Sequence, residues 1–391
     1  MSYPTEKLGK YIDILSGFAF KSKDFSNTGV PVIKIKNITP PYVSLEDVTY
    51  VPNDIATQQK KFQVHYGDIL IALTGSHINQ MASVVGRIAK VNFFDKALLN
   101  QRVGKIYIVD DTSCNLDYVY YFLSQGKVKI ELASKAGGAA NQANISPTDV
   151  KNLQIPFPSK AIQDRIADIL LAYDNLIENN QKQIKLLEEA ARRLYKEWFV
   201  DLRFPGYETT PVVDGVPEGW AKVEVGDCIA KVARTKQVMT AELLEVGKIP
   251  VVDQSRNFIA GYTNDEETIV DFGIPIIVFG DHTRVLKYIP FPFAKGADGT
   301  QLIVTSNERM PQPLLYCSLV NVDLSNYHYA RHFKYLKAEE ILLPSLRVAD
   351  RFDGVVTPLF KQVQMLRDKC KLAAEARDRL LPKLMSGEIE V

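Results

Sequence analysis

Between Asp164 and about Phe199, apolar side chains fall at Ile166, Leu170, Tyr173, Ile177, Ile184, Leu187, Ala191, Leu194 and Trp198. The steps alternate four and three, the heptad seam of a helix that lies against another helix. Asn180 alone interrupts the seam, at an a-type position where one polar residue can fix register. No Gly or Pro falls inside. About 36 residues at ~1.5 Å each give a rod of roughly 54 Å.

The pattern returns from Asp350. An offset of 186 carries Asp164 to Asp350, Ile166 to Phe352, Leu170 to Val356, Ile177 to Val363, Leu194 to Leu380 and Trp198 to Leu384. Leu359 and Leu366 complete the second seam, with Leu366 opposite the interrupting Asn180 in this mapping. Ala191 maps to Arg377, so the second seam is not wholly apolar. A repeat of this period is a duplicated domain pair rather than a solenoid. The two helices are expected to pack antiparallel.

The segments between the helices alternate short Val/Ile/Tyr/Phe runs with turn signals. In residues 1–158 the runs are VPVIKIKNI (30–38), GDILIAL (67–73), SVVGRIAKV (83–91) and RVGKIYIV (102–109). One helix is predicted over 116–136, ending at Gly137–Gly138, and a short one capped by Ser146 with Pro147 in its first turn. Residues 204–346 repeat the plan: FGIPIIVFGDHT stands where YGDILIALTGSH stood, GTQLIVTSN where QRVGKIYIVD stood, and QPLLYCSLVNVD where LDYVYYFLSQGK stood. The expected fold class is α+β, with two pseudo-symmetric, β-rich globular domains (1–158 and 204–346) and two long antiparallel coiled-coil helices (159–203 and 347–391). The globes would then lie on the order of 50 Å apart by helix rise.

Composition narrows the chemistry. Cys114, Cys228, Cys317 and Cys370 show no ligand spacing, which predicts reduced thiols in a cytoplasmic protein. There is no leader-like start and no apolar run of membrane length. Phosphate loops, HExxH and GxSxG are absent. His328 and His332 are four apart but lack a third metal-type partner, so no metal is expected. The chain therefore reads as a non-enzyme. Residues 1–158 carry 17 Lys+Arg against 13 Asp+Glu, whereas 204–344 carry 13 against 18. The acidic balance of the second part predicts a small nucleic-acid face there, or phosphate contacts supplied mostly by partner subunits.

Loops rich in Ser, His, Asn, Gln and Arg on a rigid frame suit base-edge readout. In the first domain these are Ser76, His77, Asn79, Gln80, Asn141, Gln142 and Asn144, with Lys21 and Lys23 as phosphate contacts. In the second they are His282, Thr283, Arg284, Tyr327, His328, Tyr329, Arg331 and His332.

GDILIALTGS, then GGAANQANIS…LQIPFPSKAIQDRIADIL, then RRLYKEWFVDLRFPG, and finally DRLLPKLMSGEIEV resemble the specificity subunits of Type I restriction-modification systems, over essentially the whole chain. The resemblance implies two target-recognition domains, each reading half of a split site in double-stranded DNA. It implies paired helices that act as a ruler and dock two modification subunits, which bind S-adenosylmethionine and methylate adenine. It also admits restriction subunits that use ATP and magnesium. The second domain has NYHYARHFKYL where the first has GG…NIS, so contacts do not carry over position by position. The competing expectation is a free-standing sequence-specific DNA-binding protein or coiled-coil scaffold, which would bind its site tightly without partner subunits.

Overall fold

Both heptad segments are single helices in the computed structural model, which describes residues 3–75, 85–136, 143–297, 299–327 and 331–391. The first spacer helix is Lys160–Tyr195, continued by a π-helical turn at Lys196–Val200, and the second is Leu346–Ser386. The chain divides into two compact units, residues 1–177 with 372–391, and residues 178–371. Each unit contains one stretch of each helix.

In the first unit Ile166 and Leu170 share a core with Leu384 and Met385. Further along, Arg377 Nη1 lies 2.5 Å from Asp174 Oδ1. Rising numbers on one helix meet falling numbers on the other, so the pairing is antiparallel. In the second unit Glu188 meets Arg367 at 2.7 Å, and Phe352 lies among Tyr195, Trp198 and Phe199, with ring centroids 6.3, 5.8 and 5.1 Å away. The direction is again antiparallel. Of the expected seam, Ile166, Leu170, Asn180, Phe352, Val356, Val363, Leu366 and Leu384 are buried, and Tyr173, Ile177, Ile184, Leu187, Leu194, Trp198, Leu359 and Leu380 are half-buried. Asn180 is enclosed rather than solvated, beside Cys370 of the facing helix. Arg377, the polar break in the second seam, is absorbed by Asp174, which also accepts the Tyr121 hydroxyl at 2.6 Å. Burial pulls the Arg377 guanidinium down, but its bonds to Asp174 and Asp378 outweigh that and hold it above its ordinary range.

The repeated frame is visible strand by strand. In the first unit Ile69–Ala72 is flanked antiparallel by Ile88–Lys90 and Val103–Ile108. In the second, Ile276–Gly280 is flanked in the same way by Leu286–Ile289 and Thr300–Ile303. Both central strands are continuous apolar runs, as burial on two faces demands. A parallel pair recurs too, Val30–Ile33 with Ala97–Leu99, and Ile249–Val252 with Phe293–Gly296. In the first unit Thr5–Lys7 closes on Gln154–Pro156, the strand before the first spacer helix, and in the second Ala221–Glu224 closes on Glu340–Leu343, the strand before the second.

The single helix expected over 116–136 is two, Leu116–Ser124 and Gly126–Ser134. Gln125 is extended between them (φ −65°, ψ 135°), with its Nε2 donating to the Phe122 carbonyl. The short helix Pro147–Lys151 forms as expected, and Ser146 Oγ accepts the Asp149 N–H at 3.1 Å.

Candidate nucleic-acid interface

In the first unit the two polar loops singled out in the sequence are joined at their bases. Thr74–Gly75 pairs antiparallel with Ala143–Asn144, and Thr74 Oγ1 donates to Asn144 Oδ1 at 2.8 Å. The Ile145 N–H donates to the Leu73 carbonyl, extending the clasp. Asn144 therefore joins the two loops, and its amide oxygen is engaged. Ser76, His77, Asn79, Gln80, Asn141 and Gln142 lie outside the described residues. Lys21 and Lys23 are exposed on the turn Ser22–Asp24, with no ion-pair partner among the described residues.

In the second unit the turn after Ile276–Gly280 is held from several sides. Thr283 Oγ1 donates to the Gln254 carbonyl at 2.6 Å, and the His282 N–H donates to Gln254 Oε1 at 3.1 Å. A Cβ on Gly280 would stand 2.1 Å from Thr283 Oγ1, so only glycine fits. Arg284 is left-handed (φ 60°), and its Nη2 donates to the Tyr327 carbonyl at 2.7 Å. The Tyr327 hydroxyl donates to Glu339, and its ring stacks on Tyr335 at 4.2 Å. His332, expected as a reader, is 5% exposed. Its ring nitrogens face the Asp281 and Tyr327 carbonyls at 2.8 and 3.0 Å. Its position is structural, because neither ring nitrogen is left for a base. Thr283, Arg284 and Tyr327 brace the same turn. His328 and Tyr329 lie outside the described residues.

His282 and Arg331 reach a different setting. Both line a cleft of about 1040 Å³ together with Lys231, Arg234, Lys295 and Lys337. Its only lining carboxylate among the described residues is Asp281, whose Oδ1 accepts the Phe333 N–H at 2.8 Å. Thus five of the 13 Lys and Arg in 204–344 line one cleft, against one acid among the described residues. The cleft is thus a local concentration of basic side chains in a part that is acidic on balance. Lys231 and Arg234 stand in the run KVARTK, a signal the sequence did carry. Lys295 and Lys337 come from a strand and a helix distant in sequence. Lys236 of the same run is diverted: its Nζ lies 2.7 Å from Asp265 and 2.8 Å from Glu267. Those two hydrogen-bonded carboxylates push its ammonium above the ordinary lysine range. Among the described residues no group of three or more His, Cys, Asp or Glu could hold a metal, and no helix is long and apolar enough to cross a membrane.

A duplicated α+β unit on paired helices, with clasped polar loops and a basic cleft, has the build of a sequence-reading DNA-binding protein. Residues 4–189 match the model of the Type I restriction modification DNA specificity domain. The MjaIX specificity subunit of Methanocaldococcus jannaschii is 28% identical over 305 residues, spanning 70% of this chain and 69% of that protein. The HindI specificity subunit of Haemophilus influenzae is 22% identical, spanning 76% and 83%. The crystal structure of a Type I restriction-modification S subunit from M. genitalium shares the fold, with TM-score 0.58, 18% identity and coverage of 98% and 96%. Over most of its length the chain is similar to the specificity subunits of Type I restriction-modification systems, and its first half matches their DNA specificity domain.

Proposed function

We propose that this chain is the non-catalytic reader of a bipartite site in double-stranded DNA. Each recognition domain takes one half-site, and the length of the spacer helices sets the number of unread bases between the halves. The observation that carries this reading is the segregation of Lys231, Arg234, Lys295, Arg331 and Lys337 onto one cleft of an otherwise acidic part. A cation-lined cleft on a rigid frame binds duplex phosphates, and its polar rim reads base edges. The paired helices offer the platform on which two modification subunits dock. Those subunits bring S-adenosylmethionine and methylate adenine. The same platform would also admit restriction subunits, which would bring ATP and magnesium.

Exchanging residues 1–158 for the corresponding part of another specificity subunit tests the modular reading. Methylation by the assembled complex should change at one half-site only. A change in both halves would contradict it.

A further inference from the structure

Each unit contains a cavity at the same place in the repeat. The first holds about 550 Å³ and the second about 540 Å³. The offset of 186 that superposes the spacer helices exchanges Asp174 with Phe360, Arg377 with Ala191, and Asp378 with Arg192. An offset of 196 carries Tyr120, Tyr121 and Ser124 to Tyr316, Cys317 and Val320. All of these line the respective cavities.

The chemistry of the two cavities has diverged. In the first, Arg377 is neutralised by Asp174 and by Asp378, the latter at 2.8 Å. The second is lined by Arg192, Arg256, Arg284, Lys287 and Arg367, with Glu188 as the one lining carboxylate among the described residues. Some of that charge is committed. Lys287 is buried and donates to the carbonyls of Asp253 at 2.8 Å and Asn257 at 2.5 Å. Arg367 binds Glu188 and lies over the Phe258 ring at 3.9 Å. The rest is available. Arg192 reaches Glu189 only at 3.8 Å, and that carboxylate already takes Arg193 at 2.8 Å. Arg256 is exposed and has no ion pair among the described residues. Arg284 spends one guanidinium nitrogen on Tyr327. Across from them Tyr288, Tyr316 and Phe360 form an aromatic wall, with centroids 4.7 to 5.6 Å apart.

We propose that this second cavity binds a small aromatic phosphate monoester of about nucleoside-monophosphate size. Arg256, Arg192 and the free edge of Arg284 take the phosphate, and the ring lies on the Tyr288–Tyr316–Phe360 wall. Planar guanidinium forks match phosphate oxygens, and several of them suit a dianion better than one carboxylate. The volume falls in the ordinary range for small-ligand pockets.

Calorimetric titration of the full chain with phenyl phosphate, inorganic phosphate and phenol tests this. Phenyl phosphate should bind one per chain, about tenfold tighter than either fragment, because losing the ring contacts or the charged hydrogen bonds costs on the order of one decade. Arg256→Ala, at an exposed position, should weaken it about tenfold. Val320→Trp should block it, and Ser124→Trp at the equivalent place in the first cavity should leave it unchanged. The proposal is overturned by no phenyl phosphate binding, by equal affinity for inorganic phosphate, or by loss on Ser124→Trp with retention on Val320→Trp.

Discussion

The cleft makes a quantitative prediction about salt. Each phosphate neutralised by a basic side chain releases counterions and contributes a slope of about −0.9 to log K against log salt on duplex DNA. If Lys231, Arg234, Lys295, Arg331 and Lys337 each take one phosphate, the cleft supplies about −4.5. Between roughly 50 and 200 mM salt that alone weakens binding by about 500-fold. Replacing Arg234 and Lys337 by glutamine should lower the magnitude of the slope by about 1.8. Both residues are exposed, so the fold should not suffer. Lys236→Gln is the control. It lies in the same basic run, but Asp265 and Glu267 already hold its ammonium, so the slope should not move. Fluorescence anisotropy of a labelled duplex carrying the site, across a potassium chloride series, reads all three slopes. An unchanged slope in the double variant, or an equal drop with Lys236→Gln, would refute the assignment of the cleft.

Three further outcomes follow from single contacts. Arg331→Ala should cost about 1–3 kcal/mol at one base position if it makes a bidentate base contact, as binding to a panel of single-base variants would show, whereas a loss equal across the panel marks a phosphate contact. Phe352→Ala should cost about 3–5 kcal/mol in urea unfolding, because a fully buried ring among Tyr195, Trp198 and Phe199 leaves a cavity that cannot collapse; a loss under about 1 kcal/mol would mean the helices are not held there. Asp174→Leu should cost about 1–3 kcal/mol by removing the more buried of the two carboxylates that hold Arg377, while Asp174→Leu with Arg377→Leu should recover part of it, and additive losses in the cycle would contradict the pairing.

The helices and the repeat were legible because a heptad seam is a local pattern that burial enforces along its whole length. Their extent was less legible. Pro358 and Pro382 lie inside the second helix, where proline normally removes a bond and kinks the chain. Packing of Phe352, Val356, Phe360 and Val363 carries the helix through the first of them. The break at Gln125 was hidden by an apolar spacing that continues across it, although Gly126 marks the place. The candidate readers divided for a physical reason. Polar residues in a loop look alike in sequence whether they face solvent or brace a turn. Thr283, Arg284, Tyr327 and His332 brace one, through carbonyl partners that no side-chain pattern reveals. The cleft was hidden for the opposite reason: Lys295 and Lys337 gain meaning only when strand and helix bring them beside Arg234. Charge summed over 204–344 pointed away from it, because a net count ignores where the charges lie.

Genome-wide mapping of adenine methylation, with and without this chain in its host, tests the central claim most directly. The account predicts one motif that depends on the chain, made of two short specified blocks separated by a fixed run of unspecified bases. Deleting one heptad, residues 180–186, should abolish that motif or shorten its gap. A continuous motif, or a gap unchanged by the deletion in a complex that still methylates, would contradict it.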